Sequence, residues 1–581
     1  MTLAIHVTHE AVQKFGGIGT VLHGLITSKL YHKQFEHNLL YTPLFTLATD
    51  PDERLGEDSE IIYSGIDGVD RANLSSKLAS IEKKYGVRIV YGKKYFYDDA
   101  DSRKKFSSDI VALDIWEMPQ GVVDDFKFRL WEHYQIRSEK YQHDRDYEQY
   151  LRIAIPMVEI AEALFGDERI MLFSHEYMGM ASALAIEICK KTGRRSGDGT
   201  IFYAHEVSTA RVIVENHPGH DFTFYNTMAI DRDNGVSLED TYGSKENYSR
   251  NELVKRASLL DRIFAVSEIT RNEYIYLCPH ADQSKIRVVY NGVNHGDARY
   301  RDKVESTAKI KEYCERIFNF RPDYIFTHVT RLVPSKAIWR DIHLMYYIDE
   351  ELSKSGKKGF FTILSTLIGP GRDPELVYKM ESDYGWPVMH REGWPDLVGS
   401  EEDLYSQLQL FNARSKAIKA VFLNQFGFSR ERCGSRVPEN TSLRDLRLSS
   451  DMEFGLSIYE PFGIAQLETT PFGGSAAVST SCGCHELLKS LLKEHHYIGI
   501  DFTMVPKSFL ELFKNKEDFL NVNFSLRDQI EAEICRDASK SLIAQLPKDD
   551  AARRTKFKEI QKASEGLSWD NVAARLIANL P

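Results

Sequence analysis

Short apolar runs, each closed by a glycine or polar turn and followed by a helical period, recur along almost the whole chain. TLAIHV (2–7), RIVYG (88–92), IMLFSHE (170–176), TIFYAHE (200–206), DRIFAVSE (261–268) and KIRVVYNG (285–292) read as strands in the first half. YIFTHVT (324–330), FFTILST (360–366), AVFLNQ (420–425) and FGLSIYE (454–460) do so in the second. Each is too short for a helix and rich in β-branched or aromatic residues, whereas intervening segments such as EQYLRIAIPMVEIAEALF have a period near 3.6. Such alternation predicts an α/β fold of βαβ units, with parallel sheets covered by helices on both faces.

At 581 residues the chain exceeds what one hydrophobic core supports. The polar stretch HGDARYRDKVESTAKIKEY, just after Asn291-Gly-Val-Asn294, is the expected hinge. It divides residues 1–297 from 298–560, and the closing helix within 561–581 is expected to pack back toward the N-terminal domain. The insertion-like region from Trp386 to Arg414 takes no assignment. Two doubly wound domains facing each other bring together the carboxyl ends of two sheets, so chemistry is expected in the cleft between them.

Composition narrows the partners. A net charge of −11 gives no hint of binding to nucleic acid or an acidic membrane, which would favour a basic face. The N-terminus lacks the basic start and apolar run of a signal peptide, and no membrane-spanning apolar stretch occurs. Seven scattered cysteines make no disulfide framework; reduced thiols in a cytoplasmic protein fit better, and no metal site is expected at Cys482-Gly-Cys484.

Three constellations carry chemistry. Lys14-Phe-Gly16-Gly17-Ile-Gly-Thr20 follows the first strand and leads into a helix, so backbone amides and a cation can meet a phosphate; a plain βα turn is the alternative. Arg331 and Lys336 follow the strand YIFTHVT, where two cations can neutralise a departing diphosphate, each contributing about 3–4 kcal/mol in a water-poor cleft. In YEPFGIAQLETT, a turn over Glu460 to Gly463 precedes a short helix expected from Ile464 to Thr470. Glu468 lies eight residues beyond Glu460, so both carboxylates can face one pocket. Paired carboxylates also suit hydrolysis, but a hydrolase needs no diphosphate clamp. His9-Glu10, His175-Glu176 and His205-Glu206 lie at or beyond strand ends, and none extends to a zinc-protease HExxH.

Assembled, HEAVQKFGGIGTV, FKFRLWEHYQI, FSHEYMG, FYAHEVSTAR, the long stretch from Asp221 to Thr270 and the E-x7-E of YEPFGIAQLE resemble the glycogen synthases, closest to the animal and fungal type. The resemblance implies the GT-B architecture of two facing Rossmann-like domains, and a retaining hexosyltransferase that moves glucose from UDP- or ADP-glucose to the non-reducing end of an α-1,4-glucan. It implies that Lys14, Gly16 and Gly17 meet the donor phosphates and that Arg331 and Lys336 stabilise the leaving diphosphate. By the same resemblance Glu460, which opens the turn that Gly463 closes at the donor, orients the glucose, and Glu468 holds the ribose. His205 lies against the sugar, His175 and Glu176 are near the acceptor path, and Ser481 to Cys484, with Gly483, form the loop over the donor. It requires neither cofactor, metal nor covalent enzyme intermediate.

Thr20 and Glu468 match the animal and fungal type, whereas the Arg-x4-Lys spacing matches the bacterial and plant type, which leaves UDP- and ADP-glucose both open. No arginine-rich helix matches the glucose 6-phosphate control element, so no such activation is expected. A transferase with a small or non-glucan acceptor and an inactive glycan-binding relative are the alternatives. A homo-oligomer is compatible with the sequence.

Overall fold

The structure, a computed structural model, describes residues 2–14, 16–45, 50–98, 101–294, 298–369, 371–384 and 397–581. The expected boundary at 297 and Trp386 therefore lie outside the described residues. The chain divides into two compact units, one of Met1–Ala210, Asp231–Gly292 and Ser568–Pro581, the other of Arg211–Ile230 and Val293–Leu567. The polar stretch expected as a hinge is, from Tyr300 to Phe318, a regular helix whose buried residues include Ile310, Tyr313 and Cys314. No described helix is long and apolar enough to cross a membrane.

The first unit is built on a ten-stranded sheet in the order β10-β9-β8-β7-β1-β2-β6-β5-β3-β4. Its strands are β1 (Thr2–Val7), β2 (His37–Pro43), β3 (Ser59–Ser64), β4 (Val69–Asp70), β5 (Arg88–Asp98), β6 (Asp101–Asp114), β7 (Arg169–His175), β8 (Gly199–Ala204), β9 (Arg262–Ala265) and β10 (Ile286–Val288). From β10 through β6 every pairing is parallel. Beyond β6 the sheet turns antiparallel, an edge added to the expected parallel sheet. β6 escapes the sequence reading because its first half, DSRKKFSS, is polar. The segment EQYLRIAIPMVEIAEALF forms two helices, Arg145–Ala154 and Met157–Phe165, divided at Pro156, which has no amide to donate. The closing helix Trp569–Ala578 packs on the helices Gly17–Ile26 and Lys29–Gln34. Only glycine fits at 24, because a Cβ there would lie 2.0 Å from the Trp569 ring. Ser28 Oγ donates to Asp570 at 2.6 Å beside it.

The second unit holds a six-stranded, wholly parallel sheet in the order β13-β12-β11-β14-β15-β16. Its strands are β11 (Tyr324–Val329), β12 (Gly359–Leu364), β13 (Ile418–Leu423), β14 (Met452–Gly455), β15 (Ser475–Ser479) and β16 (Tyr497–Ile500). In order of appearance this is 3-2-1-4-5-6, the Rossmann order, and it reverses between β11 and β14; ligands of such sheets bind outside the carboxyl ends at that reversal. The first unit has a corresponding reversal between β1 and β7.

One fully buried ion cluster joins the loops of the second unit. Arg340, near the start of the helix Ile338–Ser355, donates to both Asp221 oxygens at 2.9 and 2.6 Å and to Glu531 at 2.8 Å. Its guanidinium also lies 4.1 Å from the centre of the Phe502 ring and reaches the Leu456 carbonyl at 3.3 Å. Burial opposes its charge, but Asp221 and Glu531 more than offset that and hold its pKa above the ordinary value. Asp221 belongs to the segment 211–230, so the cluster pins this excursion of the chain into the second unit. Removing one partner of such a cluster strands uncompensated buried charge. Arg340→Met is expected to lower unfolding free energy by about 3–5 kcal/mol in denaturant titration; a loss below about 1 kcal/mol contradicts the structural role.

Candidate active site

In the second unit the chain leaves β11 at Val329 and passes Arg331 and Lys336 before entering the helix at Ile338. Ala337, between Lys336 and that helix, has φ +48°, a left-handed conformation that costs a β-carbon residue about 1–3 kcal/mol. It persists because the turn is held from both sides. The Ser335 carbonyl accepts from the Ile458 and Tyr459 amides at 2.9 and 3.2 Å, which ties the β11 loop to the loop after β14.

That second loop carries Glu460. Its backbone pairs with Cys482, and its carbonyl accepts from the Gly483 amide at 2.8 Å, while the Phe462 carbonyl accepts from the Cys484 amide at 2.7 Å. The side chains of Lys336 and Glu460 form an ion pair, each about nine-tenths buried. Gly463 then turns at φ +93° into the short helix Ile464–Leu467, shorter than the expected run to Thr470, which is followed by a 3-10 turn Thr470–Phe472. Ser481 Oγ donates to Asp221 at 3.2 Å, so the third loop rests on the Arg340 cluster. Cys482 and Cys484 face each other with their sulfurs 3.5 Å apart. Their hydrogen bond, burial and Glu460 push the Cys484 thiol well up, away from thiolate chemistry.

The structure thus brings Lys336, Glu460, Gly463, Ser481 and Gly483 together at the reversal of the sheet. Glu468 belongs to a neighbouring network. Its half-exposed carboxylate pairs with Arg447, whose other nitrogen meets buried Glu453 at 2.8 Å. Glu453 in turn accepts from the Val329 amide at 2.8 Å, so this chain of charges ends on the last residue of β11. Arg331 is exposed and makes no ion pair with any described residue. Cation and carboxylate at Lys336 and Glu460 can divide a ligand between them, the ammonium taking an anion and the carboxylate accepting from hydroxyls.

In the first unit Lys14 is exposed. The glycine turn already holds an anion of its own. The buried Glu10 carboxylate accepts from the Gly16 amide at 2.7 Å and from the Gly19 amide at 2.9 Å. Space around Gly17 is open. At the ends of β7 and β8, His175 and His205 stack with ring centroids 5.1 Å apart, and Tyr203 stacks on both. His175 Nδ1 is 2.8 Å from His205 Nε2, and its Nε2 is 2.8 Å from His6 Nδ1 on β1. Glu176 follows His175 with φ +53°, a second strained position at a strand end.

Sequence reasoning missed His6, Tyr31, Arg340, Asp221 and Arg447, and it placed Glu10 at a strand end without its hold on the glycine turn. Only His6 left a local signal, as the one ring nitrogen donor set into the apolar strand TLAIHV. Among the described residues, His495, His496 and Glu559 are the one group whose potential metal-ligating atoms converge within 4.8 Å. They lie at the amino end of β16, the opposite sheet edge, and Lys493 holds the same carboxylate at 3.0 Å.

Gly463 provides a test of this geometry. A Cβ there would lie 2.7 Å from Gln466 Oε1 and 2.9 Å from Cys482 Sγ, in a backbone region that alanine avoids. Gly463→Ala is expected to destabilise the protein by about 1–3 kcal/mol in thermal unfolding. Unchanged stability would mean that the turn is not held as described.

No protein-family model matches this chain, and no curated protein sequence matches it significantly. Solved structures do. The catalytic domain of starch synthase IV from Arabidopsis thaliana, bound to ADP and acarbose, superposes with a TM-score of 0.50 at 12% identity, covering 100% of this chain and 98% of that one. The E. coli trehalose-6-phosphate synthase bound with UDP-2-fluoro glucose gives the same values. The N-terminal domain of Candida albicans trehalose-6-phosphate phosphatase gives 0.51 at 9% identity, covering 99% and 95%. At these identities the likeness is one of fold, and the fold, two α/β units each built on a largely parallel sheet, is GT-B.

Proposed function

We propose that the chain is a retaining, nucleotide-sugar-dependent hexosyltransferase, and within that class a glucan synthase of the glycogen synthase type. The observation that carries the reading is the Lys336–Glu460 pair at the β11/β14 reversal of a Rossmann-order sheet. This is the edge where such sheets bind ligands, and the pair offers a nucleotide sugar its two requirements, a cation for the diphosphate and an acceptor for sugar hydroxyls. The E-x7-E resemblance and neighbours bound to ADP or to UDP-2-fluoro glucose support it.

Glu460 neutralises Lys336 and holds it in place. A bound diphosphate competes for that ammonium and leaves Glu460 to accept hydrogen bonds from the sugar. Arg331, exposed and without an ionic partner among the described residues, adds a second cation. Arg447 fixes Glu468, the candidate ribose contact. In the transfer, the bond from the sugar's anomeric carbon to the diphosphate oxygen breaks, and its electron pair leaves with the diphosphate. The acceptor hydroxyl oxygen bonds that carbon on the same face, and its proton passes to the departing phosphate oxygen. Cations that strengthen their hold as charge develops on that oxygen accelerate the step.

A small acceptor is the second reading, and the equal likeness to a trehalose-6-phosphate synthase favours it. A donor-by-acceptor screen separates the two: UDP- and ADP-glucose, each with glycogen, maltooligosaccharides, small sugar phosphates and buffer alone. The expected result is nucleotide release that depends on the glucan. Release only with a small acceptor would overturn the glucan reading, and glycan binding without any release would favour an inactive relative. Glucose 6-phosphate is expected to leave the rate unchanged; a clear rise would contradict that expectation.

A further inference from the structure

Three buried or half-buried histidines of the first unit lie in a row that begins at a tyrosine. The Tyr31 hydroxyl is 2.5 Å from His6 Nε2, His6 Nδ1 is 2.8 Å from His175 Nε2, and His175 Nδ1 is 2.8 Å from His205 Nε2. Burial pushes His6 and His205 down to about 3 and His175 well below its ordinary value, neighbouring imidazoles adding to it at His205 and His175, so all three rings are neutral. A neutral imidazole donates at one nitrogen and accepts at the other. The row therefore has two self-consistent proton arrangements. In one, Tyr31 donates to His6 Nε2, every ring carries Nδ1–H, and the row ends in a His205 Nδ1–H donor. In the other, every ring carries Nε2–H, the Tyr31 oxygen accepts, and the row ends in a bare His205 Nδ1.

Tyr31 distinguishes them. It is fully buried, and His6 is the hydrogen-bond partner of its hydroxyl among the described residues. The Tyr203 hydroxyl, also buried at this stack, is out of hydrogen-bond reach of every described group. In the second arrangement the Tyr31 proton has no acceptor, and an unmade buried donor costs about 1–3 kcal/mol. The first arrangement leaves no buried donor of the row unmade, and the Tyr203 hydroxyl is unpartnered among the described residues in both. The terminal His205 Nδ1 has no partner among the described residues, and it is not among the polar atoms shut off from solvent.

We propose that Tyr31 is a positioning residue: through His6 and His175 it fixes His205 as an Nδ1–H donor, offered at the carboxyl edge of the sheet to a sugar hydroxyl oxygen. So held, His205 has no free lone pair in the ring, because its Nε2 is occupied by His175. It can neither take a proton as a general base nor ligate a metal ion; it selects an oxygen acceptor. The tautomer rests on the first unit alone, whereas the sugar as its acceptor rests on the transferase reading.

The test is nitrogen-15 NMR of the full chain labelled at histidine, with His205→Gln and His6→Asn used for assignment. The expected spectrum shows protonated Nδ1 and bare Nε2 at His6, His175 and His205, unchanged from pH about 5 to about 8, where an ordinary histidine titrates. A solvated neutral histidine prefers Nε2–H, so burial and stacking alone do not produce this signature. Nε2–H at His205 would overturn the proposal. Tyr31→Phe is expected to shift His205 toward Nε2–H and to lower sugar transfer about tenfold, some 1.4 kcal/mol of barrier. An unchanged His205 signal in a folded Tyr31→Phe protein contradicts the role of Tyr31, and if that variant does not fold, the unsubstituted protein's spectrum still decides. The expected tautomers together with no turnover on any sugar nucleotide would keep the proton row and remove the transferase reading.

Discussion

Arg340 is the residue on which the second unit turns. A guanidinium with no access to water is stable only if carboxylates surround it, and Asp221 and Glu531 do so from two distant parts of the chain. Its helix begins at Ile338, with only Ala337 between it and Lys336, its guanidinium touches the carbonyl of Leu456 upstream of Glu460, and Asp221 holds Ser481. Three loops that end at one sheet edge are thereby fixed against a common buried charge. A residue on rigid elements is placed more accurately than one on a free loop, and placement matters most where developing charge must be met without reorganisation.

The strained positions follow the same edges. Ala337 follows Lys336 and Glu176 follows the first of the two stacked histidines, each with positive φ. Strain of this kind survives only where surrounding contacts over-determine it, which here means the Ser335 carbonyl and the buried imidazoles. The glycine turn of the first unit is satisfied differently. There Glu10 supplies the negative charge that the amides of Gly16 and Gly19 favour, so any phosphate reaching those amides has to displace a carboxylate already bound.

The alternation of strand and helix was legible because β-branched and aromatic runs such as YIFTHV and FFTIL are buried on both faces of a parallel sheet. β15, SAAVS, was not, since small residues carry little hydrophobic signal; at the antiparallel edge of the first sheet RIVYG of β5 was legible, but the half-polar β6 was not. Lys336 and Glu460 could be read because each follows a strand end. Their ion pair could not, as it depends on how two strands are ordered in space. Arg340 shows the limit most clearly: Asp221 lies 119 positions away in a segment whose sequence gives no sign of leaving one unit for the other. Tyr31 was equally silent, as a buried aromatic whose hydroxyl acquires meaning only through His6.

We propose that the β11 and β14 loops form a ready-made site for a nucleoside diphosphate, with Lys336 as its buried cation. Calorimetric titration of UDP and of ADP into the full chain and into Lys336→Ala tests it most directly, with unfolding midpoints measured alongside. The account predicts saturable binding of at least one nucleotide, weakened at least about tenfold in a variant that remains folded. Equal binding by both proteins, or no binding of either nucleotide by the unsubstituted chain, would contradict it.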